Sequence, residues 1–348
     1  MPVPSTLEIA LNRRRMLHLA GLAAVAGGTA TAQAARPVVR APDAHATAAH
    51  ATEGPALRRD TIAVAAIQTR VTPVDAGNPA PQVAANLAAM VEAIGRVQAQ
   101  PLRKDLIAFS GLALQGWMPA DRTGLRRAAI ADDGPEIAVL AGRARAHDCY
   151  ISFGALAVDA DWPGEVLAVT YLLDPMGRIR AKDWAPFADP AAPVASIAAH
   201  LDRYAEMYGP AAVVPVHATE VGVIAQSPAV NMPELFRAFA LKGADVLIRP
   251  LAHGLPTWDA PACAAHTRCF SVVTTPAAPA DGESVYTRGG GTVIHGPAGE
   301  TLAEAGSKWE QAVVATLPMA RHRATRTPLT VGAALFLPTY QDHLADFA

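Results

Sequence analysis

Cysteine is scarce: Cys149, Cys263 and Cys269 are the only three in 348 residues, too few and too irregularly spaced for a disulfide framework. All three lie in apolar or helical-looking sequence and read as buried thiols. Cys263 and Cys269 are six apart, which on a helix puts them on different faces, so a bridge between them requires non-helical backbone. Basic blocks are also lacking. The formal net charge is -2, although residues 1–35 carry Arg13, Arg14 and Arg15 against Glu8 alone. The mildly acidic remainder gives no electrostatic reason to expect nucleic acid or an anionic membrane surface as partner. Beyond the leader there is no run of the roughly 20 strongly apolar residues that spans a bilayer, so the mature protein is expected to have no membrane span. No compact metal-ligand motif occurs. His253 with Asp259 or His266 is the nearest grouping, and neither a metal nor another cofactor is assigned.

What the chain does have is apolar content, 51% of its residues, enough for one large core or two modest ones. The start has the order of a secretory signal. A basic region, Asn12-Arg13-Arg14-Arg15, precedes a small-residue apolar run from Leu19 to Ala32 and an Ala32-Gln33-Ala34 site. The paired arginines directly before the run give it the twin-arginine form, with cleavage expected near Ala34 or Ala35 and a periplasmic or secreted destination. Residues 1–35 are therefore read as signal, 36–58 as a low-complexity leader rich in Ala, Pro, Thr and His, 59–325 as one domain, and 326–348 as a C-terminal extension.

Within the domain, strands alternate with helices. Thr61 to Ile67 and Leu106 to Phe109 are buried strands. Val83, Leu87, Met90, Val91 and Ile94 recur at helical spacing, and Pro135 opens a second helix. Tyr150 to Val158, Val166 to Leu173 and Arg178 to Ala181 read as a β-meander, the last two joined by the Asp174-Pro175-Met176-Gly177 turn. Strands follow at Val213 to Val216, Val221 to Ala225, Asp245 to Arg249, Ser271 to Thr274, Thr292 to His295 and Ala312 to Leu317. Helices are expected at Met232 to Lys242 and Pro261 to Cys269. This alternation requires an α/β fold with helices shielding the sheets.

Seven phrases, in order, resemble the nitrilase (carbon-nitrogen hydrolase) superfamily: Ala66-Ile67-Gln68; Asp105-Leu106-Ile107-Ala108-Phe109 with Leu112 to Trp117; Leu173-Asp174-Pro175-Met176-Gly177-Arg178-Ile179; Val221-Gly222-Val223-Ile224; Pro233-Glu234-Leu235-Phe236-Arg237; Leu241 to Ile248; and Gly290 to Ile294 with Gly296 to Glu300. The resemblance implies a four-layer α-β-β-α sandwich and a homodimer or higher homo-oligomer.

The same resemblance implies a Cys nucleophile, a Glu base and a Lys that offsets oxyanion charge, because acyl transfer to a thiol needs all three services. Here the matching positions hold Gly111, Ala185 and Gln226, with Ser227 the one-residue alternative to Gln226. The expectation is an exported nitrilase-fold protein without the usual triad, noncatalytic, binding a small molecule or a protein. The alternatives are an enzyme of altered chemistry in a rebuilt pocket, and a structural oligomer. Asp183, Trp184, Glu206, Gln226, Ser227, His253 and Trp258 are the candidate pocket residues, with Asp189, Tyr208 and His266 nearby; any one of them taken alone reads first as packing, capping or solvated surface. Glu206 resembles an accessory family glutamate, and a Ser227–Lys182 pair requires hydrogen-bond proximity.

Overall fold

The computed structural model describes residues 54–344 apart from 117–119, 189–192, 255–256, 278–288 and 331. The expected signal, residues 1–35, most of the leader, and Asp189 lie outside the described residues. In chain order the elements are β1 (Ile62–Gln68), α1 (Ala80–Gln98), β2 (Leu106–Ala108), α2 (Arg122–Ala128), α3 (Pro135–His147), β3 (Tyr150–Ala157), β4 (Leu167–Leu173), β5 (Ile179–Trp184), α4 (Leu201–Tyr208), β6 (His217–Thr219), β7 (Gly222–Gln226), α5 (Pro233–Leu241), β8 (Val246–Pro250), α6 (Asp259–Thr267), β9 (Phe270–Thr274), β10 (Val293–His295), β11 (Thr301–Glu304), β12 (Gln311–Leu317), α7 (Met319–Thr325) and α8 (Ala333–Leu344).

Two six-stranded sheets form, ordered β12-β1-β2-β3-β4-β5 and β11-β10-β9-β8-β7-β6. Their centres, β1-β2-β3 and β7-β8-β9, are parallel and their flanks antiparallel. A strand sends alternate side chains to opposite faces, and both faces here are covered. Ile62, Val64, Leu106, Tyr150, Ile224, Val246 and Phe270 meet between the sheets. Ala65, Ile67, Ile107, Ile151 and Phe153 face Val83, Met90 and Ile94 of α1 and Leu140 of α3. On the opposite flank, Ala225 and Leu247 face Phe236 and Phe239 of α5 and Cys263 of α6. The order of layers is helix, sheet, sheet, helix.

Two buried aspartates anchor the sheets at equivalent places, each just before a central strand. Asp105 accepts from the Ala63 amide at 2.8 Å and pairs with Arg58 and Arg59. Asp245 accepts from the Val223 amide at 2.9 Å and pairs with Arg323 of α7. A buried carboxylate holds its charge only with such partners, so these pairs tie chain segments outside the sheets to the inner strands.

The structure differs from the sequence reading at several elements. Val213 to Val216 is not a strand: Pro210 opens a single 3-10 turn, Pro210–Val213, and pairing starts at His217, since proline's fixed φ suits a helical first turn and removes a ladder donor. The helix expected to reach Cys269 ends at Thr267, where Arg268 takes a left-handed conformation at φ 57°. Cys263 and Cys269 thus sit on a helix and at a strand entrance, and both are free thiols. The C-terminal extension carries α8, and α2, α4, β11 and α7 also lie where no element was expected.

Candidate functional site

The period of the strands decides which side chains can meet between the sheets. Ser152 shares the parity of Tyr150, Asp183 that of Ala181, and Gln226 that of Ile224, all inward-facing; His217 stands opposite Ile224 in the β6–β7 register. These four join in one chain of hydrogen bonds. Ser152 Oγ donates to Gln226 Oε1 at 2.6 Å, Gln226 Nε2 donates to Asp183 Oδ2 at 2.9 Å, and His217 Nε2 lies 2.8 Å from Asp183 Oδ1. Ser152, Gln226 and Asp183 are 0%, 2% and 4% exposed. The network crosses from one sheet to the other, β3 and β5 on one side and β6 and β7 on the other.

Gly111 follows β2, and its backbone packs directly on the end of β8. Its amide donates to Leu251 O at 2.9 Å. A Cβ built there would stand 2.6 Å from Pro250 O and 2.8 Å from Ala252 N, with the Gly111 Cα itself 2.7 Å from where a Cβ of Gly154 would be. No side chain fits without backbone movement. Ala185 is buried just beyond β5, its amide bonded to Ala168 O at 2.8 Å.

Of the candidate pocket residues, the structure brings together Asp183 and Gln226 only. Trp184, one residue on, points to the opposite face and packs among Trp162 and Tyr204, at centroid distances of 4.8 and 5.2 Å. Ser227 is buried, its hydroxyl accepting from the Ala229 amide at 3.2 Å. Lys182 takes the face away from Asp183: Nζ pairs with Asp159 at 2.7 Å and Asp132 at 2.9 Å, so no Ser227–Lys182 pair forms. Glu206 is exposed, His253 is exposed and bonds its neighbour's carbonyl, Gly254 O, at 2.8 Å, and Trp258 is 60% exposed. Tyr208 bonds the Trp162 indole at 2.9 Å. His266 lies partly buried on α6.

Ser152 and His217 were not singled out by the sequence reading. The available signal was parity: a serine at an inward register position of an otherwise apolar strand is a buried polar group that must find a partner. The three cysteines lie away from this network, Cys149 in the core against α1 and α3, Cys263 and Cys269 in that against α5. Burial pushes their thiols up to about 11, about 12 and about 12 respectively, which leaves them protonated and unreactive near neutral pH.

The carbon-nitrogen hydrolase model matches residues 63–327. The chain belongs to the carbon-nitrogen hydrolase family. No curated protein matches it. Among solved structures, a double mutant of the amidase from Nesterenkonia sp. AN1 in complex with acrylamide is 19% identical, with 82% of this chain and 100% of that chain covered and a TM-score of 0.59. A mutant of the same amidase with the acetamide moiety of fluoroacetamide covalently added at the active site cysteine is 19% identical over 81% of this chain and 99% of that one, with a TM-score of 0.59. At these identities the amidase structures speak for a shared fold, and the family's architecture is the one seen here: two sheets face to face with helices outside. Among the described residues, no helix is long and apolar enough to cross a membrane, and no three His, Cys, Asp or Glu side chains are grouped to hold a metal ion.

Proposed function

We propose that this family member is a noncatalytic binding protein, exported through its twin-arginine-type leader, in which the old amide-hydrolysing slot is closed. The observation that carries the reading is the packing of Gly111 against residues 250–252, taken together with a Gln226 amide held by hydrogen bonds to both Ser152 and Asp183. A base at the first position has no room. The second, Ala185, offers no cation, and the amide at the third is neither nucleophile nor acid.

A second reading, altered chemistry, is favoured by one feature: the Asp183–His217 pair beside Gln226. An acid–imidazole pair activates a hydroxyl by taking its proton. Here the Gln226 amide lies between that pair and Ser152, and a carboxamide does not relay a proton at ordinary pH. This argues for a structural bridge. The test is incubation of the purified protein with a panel of short aliphatic amides, nitriles and esters. The expected result is no turnover above buffer. Turnover that disappears in both Gln226→Ala and His217→Ala, each still folded, establishes altered chemistry instead.

The partner proposed is a second copy of the chain. Supporting this, α8 leaves Leu335, Phe336, Leu337 and Tyr340 between 44% and 77% exposed, and an apolar helix this short needs packing to persist in water. A purely structural oligomer remains the reading to adopt if no ligand binds anywhere on the assembled protein.

A further inference from the structure

Residues 54–60, which open the folded body, cross the N-terminal ends of the parallel strands of both sheets. The Arg58 amide donates to Glu220 O, just before β7, at 2.8 Å. Its guanidinium donates to the buried Asp105, just before β2, at 2.6 Å, to Asp148 O before β3 at 3.0 Å and to Glu220 Oε1 at 3.1 Å. Arg59 reaches the same Asp105 at 3.0 Å, and Leu57 packs on the core between the sheets. The last part of the domain closes over the segment. Arg323 of α7 donates to Pro55 O at 2.6 Å and to Asp245 at 2.7 Å, and the Ala320 amide donates to Asp60 O at 3.0 Å. A Cβ on Gly54 would meet that Arg323 guanidinium at 2.7 Å. We infer that this segment is a strap that gates export, the precursor passing outward only with residues 54–60 docked. The inference rests on the proposed twin-arginine leader, which serves chains that cross a membrane already folded.

Two features separate the strap from ordinary packing of a chain end. It supplies the counter-charge of Asp105, and a buried carboxylate that loses its cations is left uncompensated. It also covers the core between the sheets at Leu57, so undocking bares apolar surface close in sequence to the leader, the kind of patch that a folded monomer hides. One segment thereby reports on both sheets at once: Asp105 through Arg58 and Arg59, and Asp245 through the Arg323 that holds Pro55. Removal of the leader does not disturb this arrangement. Residues 36–53 put 18 residues between the expected cleavage site and the strap, a length whose reach is at most roughly 60 Å when extended, so cleavage can proceed with the strap docked.

The experiment follows precursor and processed chain in a bacterial host for the parent, for Arg58→Ala with Arg59→Ala, and for Asp105→Asn. The last keeps the side chain's size and an acceptor for the Ala63 amide, and so removes the strap's anchor without stranding a charge. Ile137→Ala, which cuts into the core at the opposite end of α3 from Asp148, is the stability control. Hydrogen exchange at the Arg58 amide of the purified full chain reports docking. Expected is slow exchange in the parent, fast exchange in both strap variants, and unprocessed precursor raised roughly fivefold or more in them, with Ile137→Ala still exported. Export of a strap variant at the parent level despite fast exchange overturns the gate. So does equal retention of Ile137→Ala at no greater loss of melting temperature, or slow exchange that persists in both strap variants. Export that survives Arg13→Lys with Arg14→Lys instead sinks the leader reading, and the gate with it, while the exchange data still say whether the strap docks.

Discussion

At Gln226 a single polar side chain joins the two sheets. Substituting Gln226→Glu keeps its size but sets a second carboxyl against Asp183, at a donor–acceptor distance now 2.9 Å. Like charges so close raise the pKa of the introduced carboxyl above its unfolded value near 4.3. Stability is then fully present below that unfolded value and is lost as pH rises through the folded one. Urea unfolding should show the variant roughly 3 kcal/mol less stable than wild type at pH 8, with the gap narrowing toward pH 4. Gly111→Glu is expected to cost at least about 3 kcal/mol by the same measurement, because its Cβ meets backbone rather than a movable side chain. His322 gives the opposite pH sign. Burial first, then the charge of Arg326, lowers its pKa to about 4, so the unfolded chain binds the proton that the folded one refuses. Stability falls as pH drops from about 6.5 to 4, and His322→Phe, which keeps a ring against Phe270, should flatten that limb by on the order of 2 kcal/mol.

Among the elements, α8 is the one whose own contacts explain it least. Its three consecutive large apolar residues, Leu335 to Leu337, are half-exposed or more, and its Tyr340 hydroxyl donates to Glu234 of α5 at 3.0 Å. Light scattering should give a multiple of the chain mass, and Leu335→Ser with Phe336→Ser and Leu337→Ser should reduce it to the mass of one chain without loss of secondary structure. An unchanged assembly in that variant removes α8 from the interface. The strands, by contrast, were legible in composition: β1, β3, β4 and β8 are runs of buried, largely apolar residues, and β12 buries alternate positions, Val313, Ala315 and Leu317. Short or polar elements were not. β11 is four largely exposed residues, and α4 mixes charges with aromatics whose burial depends on Trp162 and Trp184 from other elements.

For the whole molecule, export makes a separate prediction: Arg13→Lys with Arg14→Lys should leave an unprocessed precursor inside a bacterial host, whereas the parent chain appears outside the cytoplasm shortened by about 35 residues. Loss of export through a different pathway block, with the arginine pair dispensable, would refute the twin-arginine reading. The sequence by itself determined an α/β fold with helices over sheets, and the count of four layers came through the family resemblance alone. Alternating apolar runs and amphipathic helices have few ways to bury their faces, and the motif order named the family before any contact was known. Only the tertiary structure decided what fills the slot. Whether Gly111 leaves a void or a closed contact depends on residues 250–252, over a hundred positions away, and whether Gln226 is free depends on Ser152 and Asp183. Such encounters are set by sheet register and side-chain parity across two sheets, quantities that no local stretch of sequence contains.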